Sequence, residues 1–187
     1  MALGTWWRGD ALPELPTLPS FSVRPTTDIT LIAKLNDLSL QEIDTRFQNG
    51  NSAYLAFIDE TPVAYGWVAT KSGSVEEIGL AFTLPLGNRY LWDFQTLPEW
   101  RSRGIYARFL QAIIRQEMQH AERFWILYKP GHVEAERSIR KAGFHFLGEL
   151  VLTDDVVSDF ELFEQSDRAI LGAALLNLPV VVEDENR

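Results

Sequence analysis

Short apolar runs, each closed by a Gly, Pro, Asn or Asp cluster, fill the chain before Gly104; after it the apolar spacing becomes helical. Phe21–Arg24 reads as a strand closed by Pro25. Thr27 or Asp28 can cap a helix through Ile29–Phe47, where Leu31, Leu35, Leu38 and Ile43 form a loose stripe. Asn49-Gly50-Asn51 is a turn. Residues 53–58 and 63–69, joined by Asp59-Glu60-Thr61-Pro62, predict a β-hairpin. Beyond the turn Lys71-Ser72-Gly73-Ser74, Val75–Leu84 and Tyr90–Thr96 are strand-like, separated by Pro85-Leu86-Gly87-Asn88.

Ile105, Phe109, Ala112 and Ile113 recur at i, i+4, i+7 and i+8, which predicts a helix from Gly104 to about His120. Phe124–Tyr128 is a short buried strand ended by Pro130-Gly131. Val133–Ala142 is helical with Gly143 as its C-cap glycine, and Phe144–Thr153 is a strand. Residues 159–177 read as a strand end and a last helix, and the acidic tail as frayed. A helical crossover between two buried strands makes them parallel. The class is therefore α+β (mixed α/β), an antiparallel meander leading into a βαβ unit. Residues 1–20, with Pro13, Pro16, Pro19, Trp6 and Trp7, read as an extended arm that docks on the domain or on a partner chain. Residues 21–187 form one domain.

Composition narrows the chemistry. A formal net charge of −9 argues against a nucleic-acid partner and suits a cationic acceptor such as an amine. The absence of cysteine excludes disulfides, a thiol nucleophile and thiolate metal sites. His120, His132 and His145 lack metal spacing, so no metal is expected. No apolar run reaches the roughly 18 residues a membrane span needs, and the N-terminus lacks the pattern of a signal peptide. No membrane partner and a cytoplasmic location follow as defaults. Motifs of serine hydrolases, P-loop enzymes and dinucleotide-binding folds are absent.

The informative stretch is Trp92 to Tyr106. A strand ends at Pro98, and a loop holding Arg101, Ser102, Arg103 and Gly104 opens a long helix. Unpaired amides and the macrodipole give a helix start partial positive charge, so it binds phosphate. Gly104 allows close backbone approach, and the two arginines add donors. An ordinary basic loop before a helix would look the same on these grounds alone.

The run Pro98-Glu99-Trp100-Arg101-Ser102-Arg103-Gly104-Ile105 resembles the acyl-CoA loop of the GNAT superfamily of N-acetyltransferases, written Q/R-x-x-G-x-G/A. Arg101 takes the first position and Gly104 the central glycine. Tyr106 stands where the family has glycine or alanine. His132 to Phe144 is similar to the family's later helix, N-x-x-A/S…K-x-G-F, with His132 in place of asparagine and Ala135, Lys141, Gly143 and Phe144 matching. The resemblance covers about residues 21–155. It implies a central mixed sheet of six to seven strands, mostly antiparallel, with a splayed parallel pair flanked by helices.

It also implies acetyl-CoA as co-substrate, lying between strands 90–97 and 124–129. The pantetheine would pair with backbone around Phe94, Gln95, Thr96 and Leu97. The pyrophosphate would sit on the amides of Arg101, Ser102, Arg103, Gly104, Ile105 and Tyr106, beside His132. An amine attacks the thioester directly, and an amide near Leu97 can stabilise the oxyanion. The acceptor is a small-molecule or peptide amine, still to be identified. Glu77, Tyr90 and Asp93 are the candidates for a base or water relay. Strand parity puts Tyr90 and Asp93 on opposite faces. Ile139 occupies the position of the family's proton-donating tyrosine, which leaves Tyr128, and after it Tyr106, as donors to the thiolate. Tyr65, Trp67, Phe82, Trp92 and Trp100 can shape an acceptor pocket. Ile139 also keeps open an acyl-CoA-binding sensor without turnover. The Trp6-Trp7 arm can cover the site's mouth or the neighbour in a homodimer.

Overall fold

Asp59 adopts the left-handed conformation (φ 52°) that closes the tight connection between β3 (Asn51–Ile58) and β4 (Thr61–Ala69), the hairpin expected at 53–69. The computed structural model describes residues 1–181, and residues 182–187, which hold the acidic tail expected to fray, lie outside them. The remaining elements in chain order are β1 (Ala2–Trp7), β2 (Phe21–Thr26), α1 (Ile29–Asn36), α2 (Leu40–Gln48), β5 (Ser72–Val75), β6 (Leu80–Thr83), β7 (Asn88–Thr96), α3 (Ile105–Glu117), β8 (Arg123–Tyr128), α4 (Val133–Lys141), β9 (His145–Thr153), β10 (Val156–Leu162), α5 (Asp167–Leu176) and β11 (Val180–Val181). Nine strands form one mixed sheet in the order β11-β10-β9-β1-β8-β7-β4-β3-β2. The expected parallel pair is β7 with β8. Helices α3 and α4 cover one face; α1, α2, α5 and the β5–β6 hairpin cover the other.

Three expectations need correction. The helix over 29–47 is two helices. Asp37 turns left-handed (φ 53°) and ends α1, and Ser39 starts α2 through a reciprocal capping box with Glu42. The strand over 75–84 is a separate hairpin: Glu76–Ile78 makes a 3-10 turn, Gly79 (φ 66°) ends it, and β6 returns onto β5. The sheet has nine strands rather than six to seven, because β10 and β11 extend one edge and β1 enters the middle.

The third correction matters most. Residues 2–7 are not a peripheral arm. Strand β1 lies antiparallel between β8 and β9, and Ala2, Leu3 and Trp6 are at most 1% exposed. Its side chains alternate between the two faces, as a central strand requires: Trp6 packs edge-on against Phe124 under α3, while Leu3 joins the core beneath α5. Residues 8–20 then cross α3 in extended form, where Gln111 donates to Pro13 O and Arg108 to Pro16 O. Trp6 and Trp7 thus pack within their own domain and do not line the cleft.

A polar clasp secures this insertion. Arg168 of α5 donates to both carboxylate oxygens of Asp10 (2.6 and 2.9 Å), the Trp7 amide donates to Asp10 Oδ2 at 2.7 Å, and the Arg123 and Arg168 guanidiniums sandwich the Trp7 ring at 4.4 Å each. Burial alone would raise the Asp10 carboxyl, but Arg168 and the Trp7 amide outweigh it and hold the group below its ordinary value. A carboxyl lowered in the folded state contributes stability that is complete above the ordinary value of about 4 and is lost as pH falls through the folded value. Asp10→Asn should therefore lower unfolding free energy by about 1–3 kcal/mol at pH 7. Urea unfolding across pH 7 to pH 3 checks this, with the gap between the two proteins narrowing once the pH falls below about 4.

Candidate active site

Strands β7 and β8 pair in parallel only from Asn88↔Arg123 to Leu91↔Ile126. Beyond that point β7 stays on β4 (Gln95↔Tyr65, Thr96↔Ala64) and β8 stays on β1 (Leu127↔Leu3, Tyr128↔Ala2). A V-shaped cleft opens between them. Its cause is a β-bulge: Asp93 turns left-handed (φ 50°), so Asp93 and Phe94 together face Gly66. Gly66 is required there, because a Cβ would overlap the Phe94 ring. Phe94 is further wedged against Phe109 (5.2 Å) and Tyr106 (5.9 Å).

The bulge also overturns the parity expectation. One extra residue reverses the alternation. Asp93 turns to the face that carries Tyr90 and Trp92, where Arg46 of α2 donates to its Oδ2 at 2.5 Å and Asn36 of α1 at 3.1 Å. The Arg46 guanidinium stacks on Trp92 (4.5 Å) and Trp67 (4.9 Å).

At its wide end the cleft encloses about 580 Å³ between β7, the loop before α3, and α4. Ser102 (φ 61°) and Gly104 (φ 68°) are both left-handed. Alternating backbone of this kind turns successive amides into one concavity. The amides of Ser102, Arg103 and Gly104 donate to nothing among the described residues, and α3 adds its own N-terminus. Phe94, Gln95, Thr96, Arg101, Ser102, Gly104, Ile105, Tyr106 and His132 line this space together. The side chain of Arg103 does not: it stacks over Trp100 at 4.7 Å. Nor does Leu97, whose amide donates to Val63 O at 2.9 Å and so is taken. Backbone groups alternate in direction along a strand, so those of Thr96 and Phe94 face the open side. Consistently, Arg101 Nε donates to Thr96 O at 3.3 Å. The Leu97 amide is therefore not free to serve as the oxyanion donor expected near it.

The narrow end, about 270 Å³, is lined by Leu91, Trp92, Asp93, Phe94, Tyr106, Ile126, Tyr128 and His132 among others. Tyr106 and His132 line both ends. Burial pushes the Tyr106 hydroxyl above its ordinary value, with the nearby Tyr90 adding to it. Tyr128 is pushed up to about 12, first by burial and then by Glu136. Its ring packs on Phe146 at 4.7 Å. Burial also raises Tyr90, which is 4% exposed. All three phenols stay protonated at neutral pH, able to donate a proton but not to take one. Glu77 is exposed on the 3-10 turn between β5 and β6, and no part of the cleft includes it. Ile139 is fully buried in the core.

Two contributors were not singled out from the sequence. Ser138 lines the wide end, and its spacing of three from Ala135, itself three from His132, was the available signal. Arg46 had none: it lies 47 residues from Asp93, and only the fold brings them together.

No family model matches the sequence, and no curated protein matches it. Solved structures do match. The aminoglycoside acetyltransferase AAC(6')-Ib, solved with coenzyme A and kanamycin, superposes with a TM-score of 0.56 at 17% identity, over 83% of this chain and 99% of that one. A GCN5-related N-acetyltransferase from Kribbella flavida gives 0.52 at 20% identity, over 77% of this chain. An acetyltransferase of the GNAT family from Novosphingobium aromaticivorans gives 0.52 at 17%, over 76%. The chain has the GNAT fold. It spans 53% and 58% of the Kribbella and Novosphingobium proteins. Of the positions where the sequence departs from the pattern it resembles, Tyr106 brings an aromatic ring into the cleft, His132 lines both of its ends, and Ile139 is sealed in the core.

Proposed function

We propose that this chain is an N-acetyltransferase that moves an acetyl group from acetyl-CoA to a primary amine. The observation that carries the reading is the cleft itself: a splayed parallel pair whose open β7 edge runs directly to unpartnered amides at a helix start. That arrangement offers hydrogen bonds to an extended amide-bearing chain and a cradle to its pyrophosphate. The solved relatives named with coenzyme A or acetyl-CoA support the same choice. Backbone of Phe94 and Thr96, the amides of Ser102 to Tyr106, and Arg101 would hold acetyl-CoA.

Acetyl-CoA supplies an activated thioester. The amine nitrogen bonds to the acetyl carbon and the C–S bond breaks. The acceptor ammonium first releases one proton to solvent, and the second N–H proton ends on sulfur. Asp93 is placed to receive the ammonium: both of its protein partners bind Oδ2, and Oδ1 has none among the described residues. With Oδ2 held by Arg46 and Asn36, its role is to orient the amine through Oδ1. Tyr106 donates to the thiolate, since it is protonated and lines both ends of the cleft. Tyr106→Phe should lower kcat about tenfold with acetyl-CoA Kd unchanged, below the usual ~10²–10⁴ for an acid because a thiolate leaves readily.

The reading is tested by calorimetric titration with acetyl-CoA and by free-thiol release with a panel of amines. Micromolar binding and amine-dependent release are expected. Binding without release from any amine would instead establish a sensor.

A further inference from the structure

A second cavity of about 440 Å³ opens on the opposite face of the sheet from α3, between α2, the β5–β6 hairpin and β7. It meets the cleft at Trp92, which lines both. Arg46, in its wall, reaches Asp93 in the cleft. A molecule seated here thus has one end beside the open edge of β7.

The wall chemistry is specific. None of the lining residues is a carboxylate. The single charge, Arg46, is matched by Asp93 and stacked on two tryptophans. What remains is hydroxyls and amides (Ser72, Ser74, Thr83, Asn49) around the aromatic faces of Phe82, Tyr90 and Trp92. The Tyr90 ring is buried, yet its hydroxyl bonds to nothing among the described residues and is not sealed from the cavity. Its burial keeps it protonated, hence a donor.

Such a lining discriminates between amines. Each ammonium that leaves water needs a counter-charge, and an uncompensated one is costly. Hydroxyls exchange water for protein partners at little net cost. Aromatic faces take the apolar face of a ring. The chain's overall negative charge draws cations from a distance, but the wall decides what stays. Resting on the acetyl-transfer reading above, we infer that this cavity selects a hydroxylated acceptor bearing one amino group and no further positive charge, whose amine reaches the cleft past Trp92 and Asp93.

The test compares D-glucosamine, with one amine, and kanamycin, a polyamine built from the same kind of ring, by thiol release. A second arm uses Ser74→Trp, at an exposed strand position where a large ring fills the cavity without disturbing the core. Glucosamine is expected to show a kcat/KM at least tenfold above kanamycin. Ser74→Trp should raise the glucosamine KM at least tenfold while acetyl-CoA Kd holds. A preference for kanamycin, or an unaltered KM in Ser74→Trp, overturns the inference with acetyl transfer intact. Silence with every amine overturns the acetyl-transfer reading and this inference with it.

Discussion

Trp6→Ala lowers unfolding free energy by about 3–5 kcal/mol, the cost of emptying a large core site. Trp6 is 1% exposed, meets Phe124 edge-on at 5.7 Å and donates its indole N–H to Ala11 O at 3.2 Å, so the substitution loses burial, ring packing and an anchor for residues 8–20 together. A domain of this size has about 5–15 kcal/mol in all, so the variant sits near its folding threshold. Guanidinium unfolding at pH 7 measures the loss. A change below about 1 kcal/mol would mean that β1 is an accessory strand, contrary to its place between β8 and β9. Trp7→Ala is the control: Trp7 is only half-buried between two guanidiniums, and its loss should cost less.

Gly66→Ala weakens acetyl-CoA binding about 10- to 100-fold, because overpacking beside Phe94 costs about 1–3 kcal/mol and each 1.4 kcal/mol is tenfold. The new methyl meets the Phe94 ring, which Phe109 and Tyr106 hold from the other side. Relief requires Phe94 to leave and the bulge at Asp93 to straighten, which draws β7 back towards β8 and narrows the cleft. The double variant Gly66→Ala/Phe94→Leu should recover most of the affinity. Calorimetric titration of the three proteins decides it, and unchanged affinity in Gly66→Ala would mean that the bulge does not set the cleft.

Much of this was legible in the residues. The 3.6 period from Ile105, the C-cap glycine Gly143, and the hairpin at 53–69 are local signals, and the structure carries them with small shifts. The loop and helix start at the wide end of the cleft were legible for the same reason: they are contiguous in sequence. The misses are non-local. Nothing near Ala2 says that its partners are Tyr128 and Glu149. The bulge at Asp93 arises from its pairing with Gly66 on another strand, so parity counted along β7 alone gave the wrong face. The capping box at Ser39-x-x-Glu42 was a local signal, outweighed by an apolar stripe that continues across Asp37.

The central position of β1 has a consequence for how the domain is made. Thr5 bonds to Phe124, 119 residues later. At the ~5–20 residues per second of synthesis, β1 waits roughly 6–24 seconds before the first of its neighbours exists. During that interval the apolar ALGTWW segment has no sheet to join. Sheet closure around it is a late event that couples the two ends of the domain, and contacts so distant slow folding. A strand buried in the middle of the finished sheet is thus exposed to wrong partners, and to chaperones, while the molecule is being built.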